Sequence, residues 1–374
     1  LSPSLYQRLV LDEGKLRDLV QGIRDLAGLE DPVGRVLART RLDDGLVLEK
    51  RSVPLGVLAI IFESRPDVIP QILALVLKSG NAVVLKGGSE AIRSNTAFMA
   101  VVDRLAERCP FLPDGWAQLV VSRQAVHELL DYPEYVDLVI PRGSNELVRT
   151  IMASTRIPVL GHADGVCHAY VHPSADVAGA VDVVVDSKVQ YPSACNALEA
   201  VLVDRAIAPT FLPALARALA ERDDAVRLRA CPASLPHLAD HEPVEPATED
   251  DWGREYGELT LAVRTVDGMD QAIDHIHRSG HTDVILAADP AAVDRFLAEV
   301  DSASVFANCS TRFADGYRYG LGAEIGISTA RTHARGPVGL EGLVIYKYVL
   351  RGAGQVVRDY TGADPARRFQ HERL

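Results

Sequence analysis

One cysteine stands out by its neighbours. Pro192-Ser193-Ala194-Cys195-Asn196-Ala197 places a thiol among small residues, after a helical stretch and before the apolar run Leu198-Glu199-Ala200-Val201-Leu202-Val203. A thiol in such a helix-to-strand turn has room for a substrate on its sulfur. Nearby peptide N–H groups can stabilise a thiolate or a developing oxyanion, so the chemistry on offer is nucleophilic attack. The plainer alternative is a structural cysteine in a tight turn, since cysteine is usually buried as a small hydrophobe.

Two glycine turns could serve phosphates. Lys86-Gly87-Gly88-Ser89 ends a strand-like run and opens a helix, and so does Pro141-Arg142-Gly143-Ser144-Asn145. Helix N-termini offer free N–H groups and a positive dipole end, which suit a dinucleotide. Neither turn is a G-x-G-x-x-G or a G-x-x-x-x-G-K-[ST] fingerprint, and each also reads as an ordinary strand–helix connection. Arg312, in Ser310-Thr311-Arg312-Phe313, and Arg335, in His333-Ala334-Arg335-Gly336, lie in loop-like sequence where an arginine can grip a carboxylate or phosphate. His275, His277 and His281 do not share one helical face, so solvated or capping roles are expected in place of a metal site.

The elements that must hold these residues follow from periodicity. Apolar runs at 56–62, 82–86, 117–121 and 136–140 alternate with helical lengths at 66–78 and 89–108 and a short helix between the last two strands. This predicts a parallel α/β sheet covered on both faces. Further on, helices are expected at 176–189, 208–220, 269–278 and 291–300, and strands at 198–203, 259–266, 284–287 and 303–307. The Pro-, Asp- and Glu-rich stretch 222–251 reads as a surface excursion. Charge-alternating pieces at 39–51 and 343–350 read as extended arms that pair across subunits.

Composition narrows the function. Of 374 residues, 48% are apolar and 24% charged, an ordinary globular balance, and 39 Lys+Arg against 51 Asp+Glu give a net charge of −12. That charge argues against a nucleic-acid partner but not against an anionic substrate held by local arginines. No apolar run reaches the roughly 18–20 residues of a membrane span, and Leu1-Ser2-Pro3 opens no basic, then apolar, leader; no membrane role and no signal peptide are expected. Five cysteines without a C-x-x-C pair point away from a disulfide scaffold and toward a reducing cytoplasm.

The pieces occur together in one family. The sequence resembles the γ-glutamyl phosphate reductases (glutamate-5-semialdehyde dehydrogenases) and the reductase half of pyrroline-5-carboxylate synthetases. The segments that carry the likeness are Val53-Pro54-Leu55-Gly56-Val57, Phe62-Glu63-Ser64-Arg65-Pro66, Leu85-Lys86-Gly87-Gly88-Ser89-Glu90-Ala91, Ile140-Pro141-Arg142-Gly143-Ser144 and Ala194-Cys195-Asn196-Ala197-Leu198-Glu199. They continue with Thr248-Glu249-Asp250-Asp251-Trp252, Ser310-Thr311-Arg312-Phe313, Gly320-Leu321-Gly322-Ala323-Glu324-Ile325-Gly326-Ile327-Ser328 and His333-Ala334-Arg335-Gly336-Pro337.

The resemblance implies an α/β, aldehyde dehydrogenase-like fold. A Rossmann-like NADP(H)-binding domain would comprise 1–35 and 52–163, a catalytic domain 164–339, and oligomerisation arms 36–51 and 340–374. It implies NADPH-dependent reduction of L-glutamyl 5-phosphate to glutamate 5-semialdehyde and phosphate in proline biosynthesis, by a cytoplasmic homodimer or dimer of dimers that could couple to glutamate 5-kinase. Carried over, Cys195 is the nucleophile that forms a thioester. Lys86, Gly87, Ser89, Arg142, Gly143, Ser144 and Glu255 hold the cofactor, Glu255 at the nicotinamide ribose and Lys86 at the adenosine ribose. Arg312, Arg65 and Asn196 hold the substrate, Arg312 at its α-carboxylate, and no metal is implied. Another acylating aldehyde dehydrogenase, such as a coenzyme A-acylating one, and a non-catalytic scaffold are the competing readings.

Three departures inform this expectation. Ser89 stands where NAD-preferring relatives place a glutamate, which admits the 2′-phosphate of NADPH. His162 falls about where hydrolytic relatives place a general-base glutamate, in keeping with a thioester that must not meet water. Ser64 falls near the asparagine that completes their oxyanion hole.

Overall fold

The computed structural model describes residues 6, 9–63, 65–161, 165–222, 225–239 and 241–374. Ser64 and His162, two of the positions at which the sequence departs from its relatives, lie outside them. Helix α1 (Glu13–Gly28) opens on Asp12, whose carboxylate accepts the Lys15 N–H at 2.8 Å. Strands β1 (Val36–Asp43) and β2 (Leu46–Pro54) then form an antiparallel hairpin.

The next segment alternates as the apolar runs predict: β3 (Val57–Phe62), α2 (Val68–Lys78), β4 (Ala82–Lys86), α3 (Ile92–Arg108), β5 (Ala117–Leu119), α4 (Arg123–Leu130), β6 (Leu138–Arg142) and α5 (Asn145–Ser154). Its four strands make a parallel sheet in the order β5-β4-β3-β6. Leu58, Ala59 and Ile60 are fully buried because helices cover both faces, and α2 contributes Ile69, Ile72, Leu75 and Val76 to one of them. Burial of each such side chain is worth about 1.5–3 kcal/mol. The strand order reverses between β3 and β6. In an open parallel sheet the crevice at the C-terminal ends of those strands is where ligands sit.

The second unit runs β7 (Val166–Val171), α6 (Val177–Val189), β8 (Leu198–Asp204), α7 (Ala208–Ala220), β9 (Arg227–Ala230), β10 (Val244–Pro246), β11 (Thr260–Val266), α8 (Met269–Ile276), β12 (Gly280–Leu286), α9 (Pro290–Glu299) and β13 (Ser304–Ala307). Its parallel sheet has the order β10-β9-β11-β8-β7-β12-β13. Two short strands, β14 (Ile327–Ser328) and β15 (Gly336–Pro337), follow, then β16 (Val344–Arg351) and β17 (Glu372–Arg373).

Two expectations are corrected here, and the arms take definite form. The stretch 222–251 is no surface excursion: β9 and β10 extend the sheet, and Leu228, Ser234, Leu238 and His241 are buried. His241 sits dry because the Ala216 and Val226 carbonyls flank its ring nitrogens at 3.3 and 2.8 Å. The arms are strands, and within the chain they pair with each other. β16 lies against β2 from Val344↔Pro54 to Arg351↔Val47 in the sheet β16-β2-β1-β17. The outer edge of β16 is open, with Ile345, Tyr346, Tyr348 and Leu350 exposed. Finally, His275 and His281 are buried core residues; only His277 is exposed, at the Glu299 carbonyl and the Asp301 N–H.

Candidate active site

The nucleophile candidate is positioned by α6 and β8. Asp176 caps α6 by accepting the Gly179 N–H at 2.9 Å, and the helix ends as its apolar run gives way to Gln190-Tyr191-Pro192. The turn that follows is closed by Ala194 N–H to Tyr191 O (3.1 Å) and Ala197 N–H to Ala194 O (2.9 Å), leaving the N–H groups of Cys195 and Asn196 without a protein acceptor among the described residues. Asn196 locks the turn: its Nδ2 donates to Ala314 O, and its carbonyl accepts from Thr311 Oγ1, both at 2.7 Å. From the neighbouring β7, the buried Cys167 thiol donates to the Cys195 carbonyl at 3.3 Å. Asn196 Oδ1 is buried and has no partner.

Electrostatics bring distant residues to this sulfur. Burial pushes the Cys195 thiol up to about 11; Glu324 and Glu255 push it the same way, while Arg142 and Arg65 pull it down. Arg142, at the end of β6, is itself held below the usual arginine value, first by burial and then by Arg65 beside it. Burial also raises the Glu324 carboxyl, against the pull of Arg142; its Oε2 accepts the Gly316 N–H at 3.0 Å. Arg312 is 8% exposed, donates from Nε to Gln190 Oε1 at 2.9 Å and lies 5.8 Å from the Tyr191 ring centre. Burial lowers its pKa, and Arg318 adds to the effect, whereas Asp315 first, then Cys195 and Cys167, act on it in the opposite sense. None of Arg65, Arg142 and Arg312 forms an ion pair among the described residues.

The structure therefore gathers Cys195, Asn196, Arg65, Arg142, Glu255 and Arg312. It leaves Arg335 elsewhere, in an ion pair with Asp301 at 2.6 Å. Sequence reasoning assigned no role to Glu324, although it lies in the Gly320–Ser328 motif. It also missed the ion pair of Lys188 with Glu199, which is fully buried at 2.7 Å. Glu199 also accepts the Gly257 N–H at 3.1 Å, and so holds the loop that presents Glu255. Burial raises Glu199 to about 7 and lowers Lys188, so desolvation outweighs their attraction in both.

The dinucleotide turns fit their expected group, with stand-ins. Beside Gly87 the amide of Asn95 is fully buried with neither nitrogen nor oxygen partnered, and a Cβ on Gly87 would lie 2.1 Å from its Nδ2. A cradle without a side chain and an orphaned amide under it suit a bound ribose or phosphate. Lys86, half-buried at the end of β4, has no protein partner among the described residues, and Ser89 is exposed. At the other turn, Gly143 leaves room for Glu63, whose Oε2 accepts the Ser144 N–H at 2.9 Å; the Ser144 hydroxyl caps α5. Two carboxylates thus lie on the cradles: Glu63 on the α5 N-terminus and Glu90 over Gly88.

A parallel sheet with glycine turns at the α2–α5 side, facing a thiol in a turn of a second parallel sheet, defines a class. The chain belongs to the aldehyde dehydrogenase family, whose model matches residues 15–224. Within that family it belongs with the gamma-glutamyl phosphate reductases. It is 55% identical over 373 residues to the gamma-glutamyl phosphate reductase of Synechococcus sp. (strain JA-2-3B'a(2-13)), covering 99% of this chain and 81% of that protein. It is 51% identical to the one from Pelotomaculum thermopropionicum, over 99% and 84% of the two chains. The crystal structure of gamma-glutamyl phosphate reductase from Thermotoga maritima is similar with a TM-score of 0.89 at 39% identity, covering 95% of this chain and 86% of that one.

Proposed function

We propose that this chain reduces L-glutamyl 5-phosphate to L-glutamate 5-semialdehyde and phosphate with NADPH, a step of proline biosynthesis, through a thioester on Cys195. The observation that carries this reading is the convergence on one thiol of three arginines that form no ion pair among the described residues, in a chain of net charge −12. A substrate with a carboxylate and an acyl phosphate supplies the anions they lack.

Cys195 attacks the γ-carbonyl as the thiolate. Its sulfur–carbon bond forms as the carbon–oxygen bond to phosphate breaks, and phosphate leaves with the electron pair. The uncommitted N–H groups of Cys195 and Asn196 are the nearest donors for the developing oxyanion. Arg312 grips the α-carboxylate, held in aim by Gln190 and Tyr191. When bound, the dinucleotide supplies the hydride that turns the thioester into the aldehyde and frees the thiolate. Lys86, Gly87 and Ser89 on one turn and Gly143 and Ser144 on the other would hold it, with Glu255 at the nicotinamide end and neutral Ser89 admitting the 2′-phosphate. The reading extends to a cytoplasmic enzyme that assembles as a dimer or dimer of dimers through the exposed β16 face. No helix of the described residues is long and apolar enough to cross a membrane.

The test runs the reaction backward. Glutamate 5-semialdehyde with NADP⁺ should give NADPH only when phosphate is added, and coenzyme A should not replace phosphate. Turnover with coenzyme A alone would make the chain a different acylating dehydrogenase.

A further inference from the structure

Arg142 belongs by sequence to a glycine turn expected to hold the cofactor, yet its side chain points elsewhere. β6 pairs with β3 so that Arg142 lies opposite Phe62, one residue before Glu63, on the two strands between which the sheet order reverses. From there the guanidinium reaches across to the Gly320–Ser328 segment: a Cβ on Gly326 would fall 2.6 Å from Arg142 Nη1. Gly326 is buried with an ordinary backbone, so its lack of a side chain is a matter of space for that guanidinium. The N–H end of α5, where a pyrophosphate would dock, is meanwhile occupied by Glu63, whose Oε2 accepts the Ser144 N–H at 2.9 Å. Arg65, after the adjacent strand, acts on Arg142 and on Cys195, and neither arginine has an ion-pair partner among the described residues. Two like charges kept together beside a nucleophile, with the buried Glu324 near both but in an ion pair with neither among the described residues, leave positive charge for an anion that arrives with the substrate.

We infer that Arg142, with Arg65, binds the phosphate of the acyl phosphate and receives it as leaving group, while Arg312, held by Gln190, binds the α-carboxylate. This rests on the reaction proposed above. It divides the arginines by the anion each serves: the pair that shares the sulfur's cleft neutralises charge growing on the departing oxygen, and Gly326 keeps the pair in aim. It also gives the site a reason to choose phosphate over a bulkier thiol acceptor.

Two variants test it in the phosphate-dependent direction. Arg142→Lys keeps charge and length but loses the two-pronged grip, and should raise KM for phosphate by about tenfold or more. Gly326→Ala leaves Arg142 in the chain but pushes its flexible tip aside, and should raise the same KM at nearly unchanged Tm. In both, KM for glutamate 5-semialdehyde and the Kd for NADP⁺ should stay within about twofold of wild type. A second readout needs no turnover: inorganic phosphate should slow alkylation of Cys195 in the wild type and lose that protection in Arg142→Lys. An unchanged phosphate KM together with retained protection overturns the inference. So does a variant whose NADP⁺ Kd rises instead, which would return Arg142 to the cofactor. A wild type that shows no phosphate-dependent turnover removes the proposed reaction itself and this inference with it, whereas normal wild-type turnover with insensitive variants removes only the inference.

Discussion

On the cysteine side of the cleft, most side chains that shape the turn are tied to protein partners, while Asn196 Oδ1 and the N–H groups of Cys195 and Asn196 are left uncommitted among the described residues. Thr311 bonds the Asn196 carbonyl, Arg312 bonds Gln190, Cys167 bonds the Cys195 carbonyl, and the Lys188–Glu199 pair anchors the Glu255 loop. On the dinucleotide side the turns hold orphans and stand-ins: Asn95 is unpartnered, Glu63 occupies the α5 N-terminus and Glu90 lies over Gly88. The contrast matches two tasks. A nucleophile must be aimed before the substrate arrives, because misplacement costs rate. Under the proposed function these turns are the cradle for a dinucleotide that comes and goes each turnover, and the acids resting on them are the groups that incoming phosphates would displace.

The sharpest way to break this contrast is at the sulfur. Cys195→Ala should abolish turnover, a loss on the order of 10³-fold or more, while NADPH titrated by its fluorescence binds as in the wild type. Substantial phosphate-dependent activity in that variant would sink the nucleophile assignment.

Next comes the rigid floor. Lys188→Met strands the Glu199 charge in a dry site and should cost about 3–5 kcal/mol in denaturant melts, most of it recovered when Glu199→Gln is added. The sign with pH follows from Glu199. Its folded value near 7 exceeds the ordinary 4.5, so the stability it contributes is complete below about 4.5 and is lost as pH rises through about 7. A Lys188→Met protein as stable as wild type at pH 8 would show the pair to be idle.

Arg312→Lys should lower kcat/KM for glutamate 5-semialdehyde by roughly ten- to a hundredfold, about 1.4–2.7 kcal/mol, with little change in Tm or NADPH affinity. A collapse of stability with normal kcat/KM in the surviving fraction would make Arg312 structural.

A smaller effect reads the field at the thiol. Alkylation follows the thiolate, so its rate in the wild type should climb toward a midpoint near 11; Glu324→Gln, by removing a like charge, should move the midpoint down. No movement would mean that the Glu324 charge does not reach the sulfur.

The smallest change sharpens the cradle. Asn95→Leu replaces an orphaned buried amide with an apolar group of the same shape, so the ligand-free protein should keep its stability or gain up to about 1 kcal/mol. NADPH should bind a few-fold more weakly. Loss of stability with unchanged NADPH affinity would show the amide to be structural.

Local sequence determined much of this molecule. Apolar runs bounded by turn residues marked β3, β4 and α7 closely, since strand or helix formation there depends on side chains a few positions apart. The placing of Cys195 in a small-residue turn between α6 and β8 was legible for the same reason. The family's motifs added the expected role of each turn. Tertiary structure alone decided the rest. β9 and β10 look like solvated loop because their polar residues find partners only from other elements: Arg229 pairs with Glu245, and the carbonyls of α7 and the loop before β9 flank His241. β7 escaped notice because His168 interrupts its apolar run, and only the distant Asp283, 2.7 Å away, lets that ring lie in the core. The direction of Arg142 is the clearest case. Its guanidinium lies against Gly326, where a Cβ would fall 2.6 Å from Nη1, a contact between segments far apart in the sequence. Spacing along a chain sets which element a residue joins; the packing of elements sets what its side chain can reach.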